Sequence, residues 1–172
     1  MDLVEILNKQ NEYTGEIKKR NELADGEYRN LIHLWIIDDE GKILIQKRAS
    51  AKKHYPNKWS ITSGCVNSKE SFVETCIREA KEELNVEIDI NNLEYEMTFK
   101  KNPVIVNVFV LRQDVDIRNV VLQEEEVSDI KFKNFLFNTF LSLFGVYVIT
   151  FILESSSFKN MPSFFSSTSV MS

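Results

Sequence analysis

Cysteine is scarce in this sequence: Cys65 and Cys76 are the only two among 172 residues, and they form no CxxC pair. That scarcity excludes a disulfide framework or a cysteine-built zinc cluster as the organising principle and makes a reducing, cytoplasmic setting the expectation. An excess of positive charge is missing as well. With 21 Lys and Arg against 26 Asp and Glu, a net charge of −5 and a pI near 5.2, the chain lacks the basic field needed to grip a nucleic-acid backbone, so no nucleic-acid partner is expected. Residues 1–19 mix Asp2, Glu5, Lys9 and Glu12 with apolar residues, which argues against a secretory signal there. No internal repeat is visible. What remains, 43% hydrophobic and 27% charged residues, is the composition of one ordinary globular domain with enough chain to bury a core.

Charge is absent altogether from residues 134–153, and beyond residue 133 only Glu154 and Lys159 are charged, whereas nine of the twelve Phe lie at or after Phe132. The expected division is a domain over 1–133 and a hydrophobic Phe/Ser-rich tail over 134–172. Residues 135–153 have about the length that spans a hydrocarbon core, roughly 20 residues, and Lys131 and Lys133 flank them on the N-terminal side. Three readings stand side by side: a tail anchor tethering the protein to a membrane, an element buried in the core, and translation in a wrong frame. The serines after Leu153 suit a poorly ordered end.

Within the first 133 residues, LIHLWII at 31–37, the turn chemistry of Asp38-Asp39-Glu40-Gly41, and KILIQK at 42–47 predict a hairpin. A second strong strand is expected at 104–111, and shorter ones at 59–62, 86–90, 95–100, 120–122 and 129–133. Residues 71–84 carry Val73, Cys76, Ile77, Ala80 and Leu84 at helical spacing, predicting one amphipathic helix packed on a mixed sheet. The fold class is therefore α/β, of the α+β sandwich kind. Cys76 reads as core, and His33, alternating with Leu31, Trp35 and Ile37, as a partnered histidine of core or cleft.

The chemistry concentrates at 64–86, GCVNSKESFVETCIREAKEELNV. On a helix, Glu79, Glu82 and Glu83 stand at i, i+3 and i+4, so three like charges share one face and repel. A hard divalent cation that accepts oxygen ligands, Mg²⁺ or Mn²⁺, relieves that repulsion and can bridge to phosphate oxygens. Arg78 and Glu70 offer an ion pair pinning the preceding loop to the helix, and Gly64 permits close backbone approach. The loop containing Arg48, Lys52, Lys53 and His54 is locally basic in an acidic chain and suits an anionic substrate. Trp59 is a packing residue or, if it borders the pocket, a platform for a base.

Gly64, Glu70, Arg78, Glu79, Glu82, Glu83 and Val86 fall in register on the pattern G-x5-E-x7-R-E-U-x-E-E-x-G-U, with U aliphatic, and the chain resembles the Nudix hydrolase family. Asn85 replaces the glycine of that pattern, and Asn is the next residue most tolerant of the left-handed conformation a helix end requires. Ala80 is a small filler of an aliphatic slot. Beyond the box, Gly26-Glu27-Tyr28, Gln46-Lys47-Arg48, Pro56-Asn57-Lys58-Trp59 and the run Gln123 to Val127 are similar to the branch containing isopentenyl diphosphate isomerase.

The resemblance implies a Nudix-type α/β/α sandwich with a mixed central sheet and one prominent box helix. It implies metal-dependent attack of water on the diphosphate bond of a nucleoside-diphosphate-linked or related small molecule. Glu79, Glu82 and Glu83 would hold the metal, with the Gly64 carbonyl as a further ligand; Glu79, or one of Glu124, Glu125 and Glu126, would act as base. A homodimer fits the resemblance too. Two other functions remain in view: the isomerase, and a catalytically inactive Nudix-like binding module. Register disfavours the isomerase, whose cysteine precedes the box glycine, whereas here Ser63 precedes Gly64 and Cys65 follows it.

Overall fold

The computed structural model describes residues 3–134. The expectations for the tail, including a membrane span at 135–153, lie outside the described residues. Among the described residues no helix is long and apolar enough to cross a membrane.

The chain opens with a two-stranded antiparallel hairpin, β1 (Leu3–Leu7) and β2 (Tyr13–Lys19), which the sequence reading did not anticipate. Its strands are short and β2 is mostly exposed, so its apolar alternation is weak; only Val4, Ile6 and Leu7 of β1 are buried. The hairpin is tied down by backbone. Leu7 and Tyr28 exchange N–H···O bonds of 2.8 and 2.9 Å, and Ser68 N–H donates to the Leu3 carbonyl at 2.8 Å.

The main sheet contains β3 (Arg29–Ile37), β4 (Lys42–Arg48), β5 (Trp59–Ser60), β6 (Thr62–Cys65), β7 (Leu93–Lys101), β8 (Val104–Arg112) and β9 (Val127–Asn134). Its path runs β5-β4-β3-β8-β7, with β6 also pairing β3 and β9 also pairing β4. The β3–β8 pair is parallel over Arg29↔Val104 to Ile37↔Arg112, and the remaining pairs are antiparallel, so the sheet is mixed, as expected. The predicted hairpin at 31–47 exists only at its tip. Asp38 and Lys42 close the turn, but β3 and β4 pair solely at Ile37↔Ile43 before diverging, β3 to β6 and β4 to β9.

The helix α1 (Phe72–Leu84) begins at Ser71, whose hydroxyl accepts from Glu74 N–H while the Glu74 carboxylate accepts from Ser71 N–H, a capping box. It ends at Asn85 with φ 54° and ψ 32°, the left-handed cap expected of this residue. Its buried side is Thr75, Cys76, Ala80, Glu83 and Leu84; Val73 and Ile77, expected on the apolar face, are rim residues and partly exposed. Cys76, Ala80 and Leu84 pack with Ile32, Leu34, Ile36, Leu44, Phe109 and Leu111 of the sheet. Burial of each such large apolar side chain contributes about 1.5–3 kcal/mol. It also pushes the Cys76 thiol up to about 12, leaving an inert core residue.

Two expected strands are not strands. At 86–90 the backbone is held by a side chain instead: Gln113 accepts from Asp89 N–H and donates to the Glu87 carbonyl, and a 3₁₀ turn follows at Ile90–Asn92. At 120–122 the backbone serves the helix end. Val121 N–H donates to the Leu84 carbonyl and Gln123 N–H to the Glu83 carbonyl, satisfying acceptors that a helix terminus leaves open. That second substitution fastens the acidic run after Gln123 to the last turn of α1.

Candidate functional site

A cleft of about 1070 Å³ opens where the last turns of α1, the end of β6, the loop after β4 and the 123–126 segment meet. Its acidic wall carries Glu79, Glu82, Glu83 and Glu126, and its basic side carries Arg48, Lys52, Lys53 and His54. Helical spacing aims the first three carboxylates into one space, as the sequence implies. The fourth arrives through the Gln123–Glu83 backbone bond, followed by a turn in which Glu126 and Val127 N–H groups both donate to the Gln123 carbonyl at 2.8 Å. Of the acidic run, the structure thus brings Glu126 to the cleft, while Glu124 and Glu125 are exposed and do not line it.

Arg78 organises the helix side. Its Nε donates to Glu70 Oε1 at 2.7 Å and one terminal nitrogen to Glu70 Oε2 at 3.0 Å, a bidentate clamp. That terminal nitrogen also donates to the Cys65 carbonyl, and the other donates to Glu79 Oε1 at 2.8 Å and Glu82 Oε2 at 3.2 Å. One guanidinium therefore joins the loop, β6 and two carboxylates, and its bonds to Glu70 raise its pKa further. Glu70 also accepts from Asn67 N–H, and although burial opposes it, Arg78 and Asn67 together hold its carboxyl below the usual range.

Glu83 is the deepest carboxylate, 6% exposed. Gln46 Nε2 on β4 donates to its Oε2 at 2.7 Å, and Thr62 Oγ1 on β6 donates to Gln46 Oε1 at 3.0 Å. Burial pushes the Glu83 carboxyl up to about 7 against the Gln46 bond, and the charges of Glu79 and Glu126 add to the rise. Burial raises Glu79 also, with Arg78 opposing.

Gly64 stands against this cluster. A Cβ on it would lie 1.8 Å from Glu79 Oε1, so only glycine lets the β6 backbone come this close to the carboxylate. Crowded carboxylates, those of Glu79 and Glu83 raised by burial, beside a backbone strand form a hard-oxygen donor set whose repulsion a divalent cation would relieve, so these residues fit such an ion. Among the described residues, no three acidic, histidine or cysteine side chains already stand in a closed ligating group. Arg78 and Gln46 hold the carboxylates instead.

The remaining expected residues divide. Lys52 Nζ forms an ion pair with Glu126 Oε1 at 2.5 Å, Arg48 Nε donates to the His54 carbonyl at 3.1 Å, and Lys53 lines the cleft. Trp59 does not line it. It lies on β5 opposite Lys47, with the Lys131 ammonium 3.7 Å from its ring centroid, so its face is covered by a neighbour on β9. Lining residues that the sequence did not single out include Lys19, Arg20 and Asn21 at the end of β2, and Arg29 at the start of β3, whose Nε donates to Cys65 Sγ at 3.3 Å. The run Lys18-Lys19-Arg20 was the available signal, but nothing local says that it folds back onto the box.

The profile of the NUDIX domain family matches residues 27–138. A Nudix hydrolase of Listeria innocua is 32% identical over 134 residues, covering 77% of this chain and 79% of that protein, and one of Listeria monocytogenes matches to the same extent. A crystal structure of a Deinococcus radiodurans protein superposes with a TM-score of 0.65 at 23% identity, covering 77% of this chain and 83% of its own. The NUDIX domain of Shewanella oneidensis NrtR, solved with ADP ribose, superposes at 0.54 and 14% identity over 73% and 82% of the two chains. With the box residues in register on β6 and α1 and the profile spanning most of the described fold, this chain belongs to the Nudix hydrolase family.

Proposed function

We propose that this protein is a Mg²⁺-dependent hydrolase, with Mn²⁺ able to substitute, that cleaves a diphosphate bond in a nucleoside-diphosphate-linked or related small molecule. The observation that carries the reading is the convergence of Glu79, Glu82, Glu83 and Glu126 on a cleft whose other side is basic. Glu79, Glu82 and Glu83, with the Gly64 carbonyl, would hold the cation, which when bound neutralises charge on the diphosphate oxygens and lowers the pKa of water.

The chain's own groups do the rest. Gln46 fixes the rotamer of Glu83 through the 2.7 Å bond, and Arg78 fixes Glu79 and Glu82 while Glu70 fixes Arg78. Arg48, Lys52 and Lys53 meet the anionic substrate. Glu126, one-third exposed and paired with Lys52, would accept a proton from water once substrate phosphate takes over the lysine. Glu79 is the other candidate base, at the box end of the same wall.

The test is phosphate or nucleotide release with Mg²⁺ on nucleotide sugars, dinucleoside polyphosphates, NADH, ADP-ribose, oxidised nucleotides and isopentenyl diphosphate, with Glu83→Gln alongside. Release that vanishes in the folded variant supports the reading. Undiminished release sinks the site assignment, and a shifted double bond without phosphate release revives the isomerase.

A further inference from the structure

β2 carries three consecutive cations into the turn that follows it, and strand alternation sends the first two to opposite sides. Lys18 turns to Glu27 and Glu16, with Nζ 2.5 and 3.0 Å from their carboxylates. Lys19 lines the cleft with Arg20 and Arg29, its Nζ 3.4 Å from the exposed Glu22 carboxylate of the same turn. This corner is held in place by backbone. Lys19 is paired with Leu3 across the hairpin, and the Leu3 carbonyl accepts from Ser68 N–H at 2.8 Å, in the loop that leads into the box helix. Lys69 N–H donates in turn to Glu5 on β1. The hairpin's basic end is therefore locked to the loop between Gly64 and Glu70, and Asn67 of that loop lines the cleft beside it.

The cleft then has cations in two groups: Arg48, Lys52 and Lys53 from the loop after β4, and Lys19, Arg20 and Arg29 from the N-terminal hairpin and the start of β3. Lys52 is matched to Glu126, Arg78 to the box carboxylates and Lys19 to Glu22, the last an exposed pair of the kind worth little against a competing phosphate. We propose that Lys19, Arg20 and Arg29 form a second anion subsite, which selects substrates carrying a phosphate beyond the scissile diphosphate over those whose far end is a neutral sugar. The inference rests on the diphosphate-hydrolase reading for where the scissile bond lies. A guanidinium pair with one ammonium is suited to a phosphate, for which arginine offers a planar fork and lysine a point charge.

Two measurements test it. The first, on full-length protein in EDTA at moderate ionic strength, compares calorimetric binding of inorganic tripolyphosphate and inorganic diphosphate. Wild type should prefer tripolyphosphate, and Lys19→Ala with Arg20→Ala should lower that preference by about fivefold to tenfold, the scale of two solvent-accessible charge contacts. Lys18→Ala, on the same strand but turned away, should leave it intact. The second compares kcat/KM with Mg²⁺ on a dinucleoside tetraphosphate and a nucleotide sugar, with the loss in the double variant falling on the former and in KM.

Equal or no binding of the two anions by wild type, an unchanged preference in the double variant, or an equal effect of Lys18→Ala overturns the subsite. The two readings fail separately: a tripolyphosphate preference without turnover keeps the subsite and removes the hydrolase, and turnover without preference does the reverse.

Discussion

Gln46 and Glu83, 37 residues apart, are joined by a 2.7 Å hydrogen bond in a site where Gln46 is 4% and Glu83 6% exposed. The amide has no freedom to turn away, because its oxygen accepts from Thr62 Oγ1 on the neighbouring strand. β4 thereby sets the direction of a helix carboxylate. Gln46→Leu keeps the volume and removes the donor. It should cost about 1–3 kcal/mol of stability, read by urea unfolding, and reduce turnover. Wild-type turnover in Gln46→Leu would show that Glu83 needs no such support.

Arg78→Lys keeps the charge and loses the fork. A single ammonium cannot reach Glu70 twice and still meet Glu79, Glu82 and the Cys65 carbonyl. The variant should fold, require more Mg²⁺ for half-maximal rate, and lose about 1–2 kcal/mol of stability on the scale of charge-assisted hydrogen bonds. A magnesium titration of activity checks this, and an unchanged midpoint would assign Arg78 to stability alone.

Gly64→Ala tests the close approach directly. The added Cβ meets the Glu79 side chain and no backbone, and the side chain can swing aside. Tm should therefore change little while the carboxylate leaves its place and activity falls. A large drop in Tm with activity retained per folded molecule would mean that the contact is packing only.

The metal-free protein should show two opposed pH effects on stability. Glu83 is raised from 4.5 to about 7 chiefly by burial, so between those values the folded state keeps a proton that the unfolded chain releases, and stability falls as pH rises through that window. His33 is lowered from 6.5 to about 4, by burial first and Lys101 second, so the unfolded chain takes up a proton that the folded state refuses. Its contribution is present above 6.5 and lost as pH falls toward 4. Burial raises Glu79 in the same direction, so Glu83→Gln weakens the fall without abolishing it, and stability of the variant should decline less, or rise more, with pH from 4.5 to 6.5 than that of wild type. Urea midpoints in EDTA at several pH values decide it; parallel profiles for variant and wild type would contradict the assignment to Glu83.

Local rules made most of the site legible. The 3.6-residue period places Glu79, Glu82 and Glu83 on one side of α1, and the left-handed tolerance of Asn predicts the cap at Asn85, because both depend on residues within one or two turns. The hairpin at 31–47 misled for the opposite reason: two alternating runs around a turn favour pairing with each other, yet β3 gains more from parallel β8 and from β6. At 86–90 and 120–122, short apolar runs were drawn off by Gln113 and by the open carbonyls of α1.

By itself, then, the sequence determined the family, the box helix with its caps, and the carboxylate face, since spacing along one helix needs no partner. Only the tertiary structure decided that Glu126 and not Glu125 faces the cleft, that Lys131 covers Trp59, that Gln46 supports Glu83, and that Lys19, Arg20 and Arg29 line the same cleft. Those placements follow from strand pairing and backbone bonds between residues distant in sequence, whose cost in chain entropy is met by the assembled core and leaves no local mark.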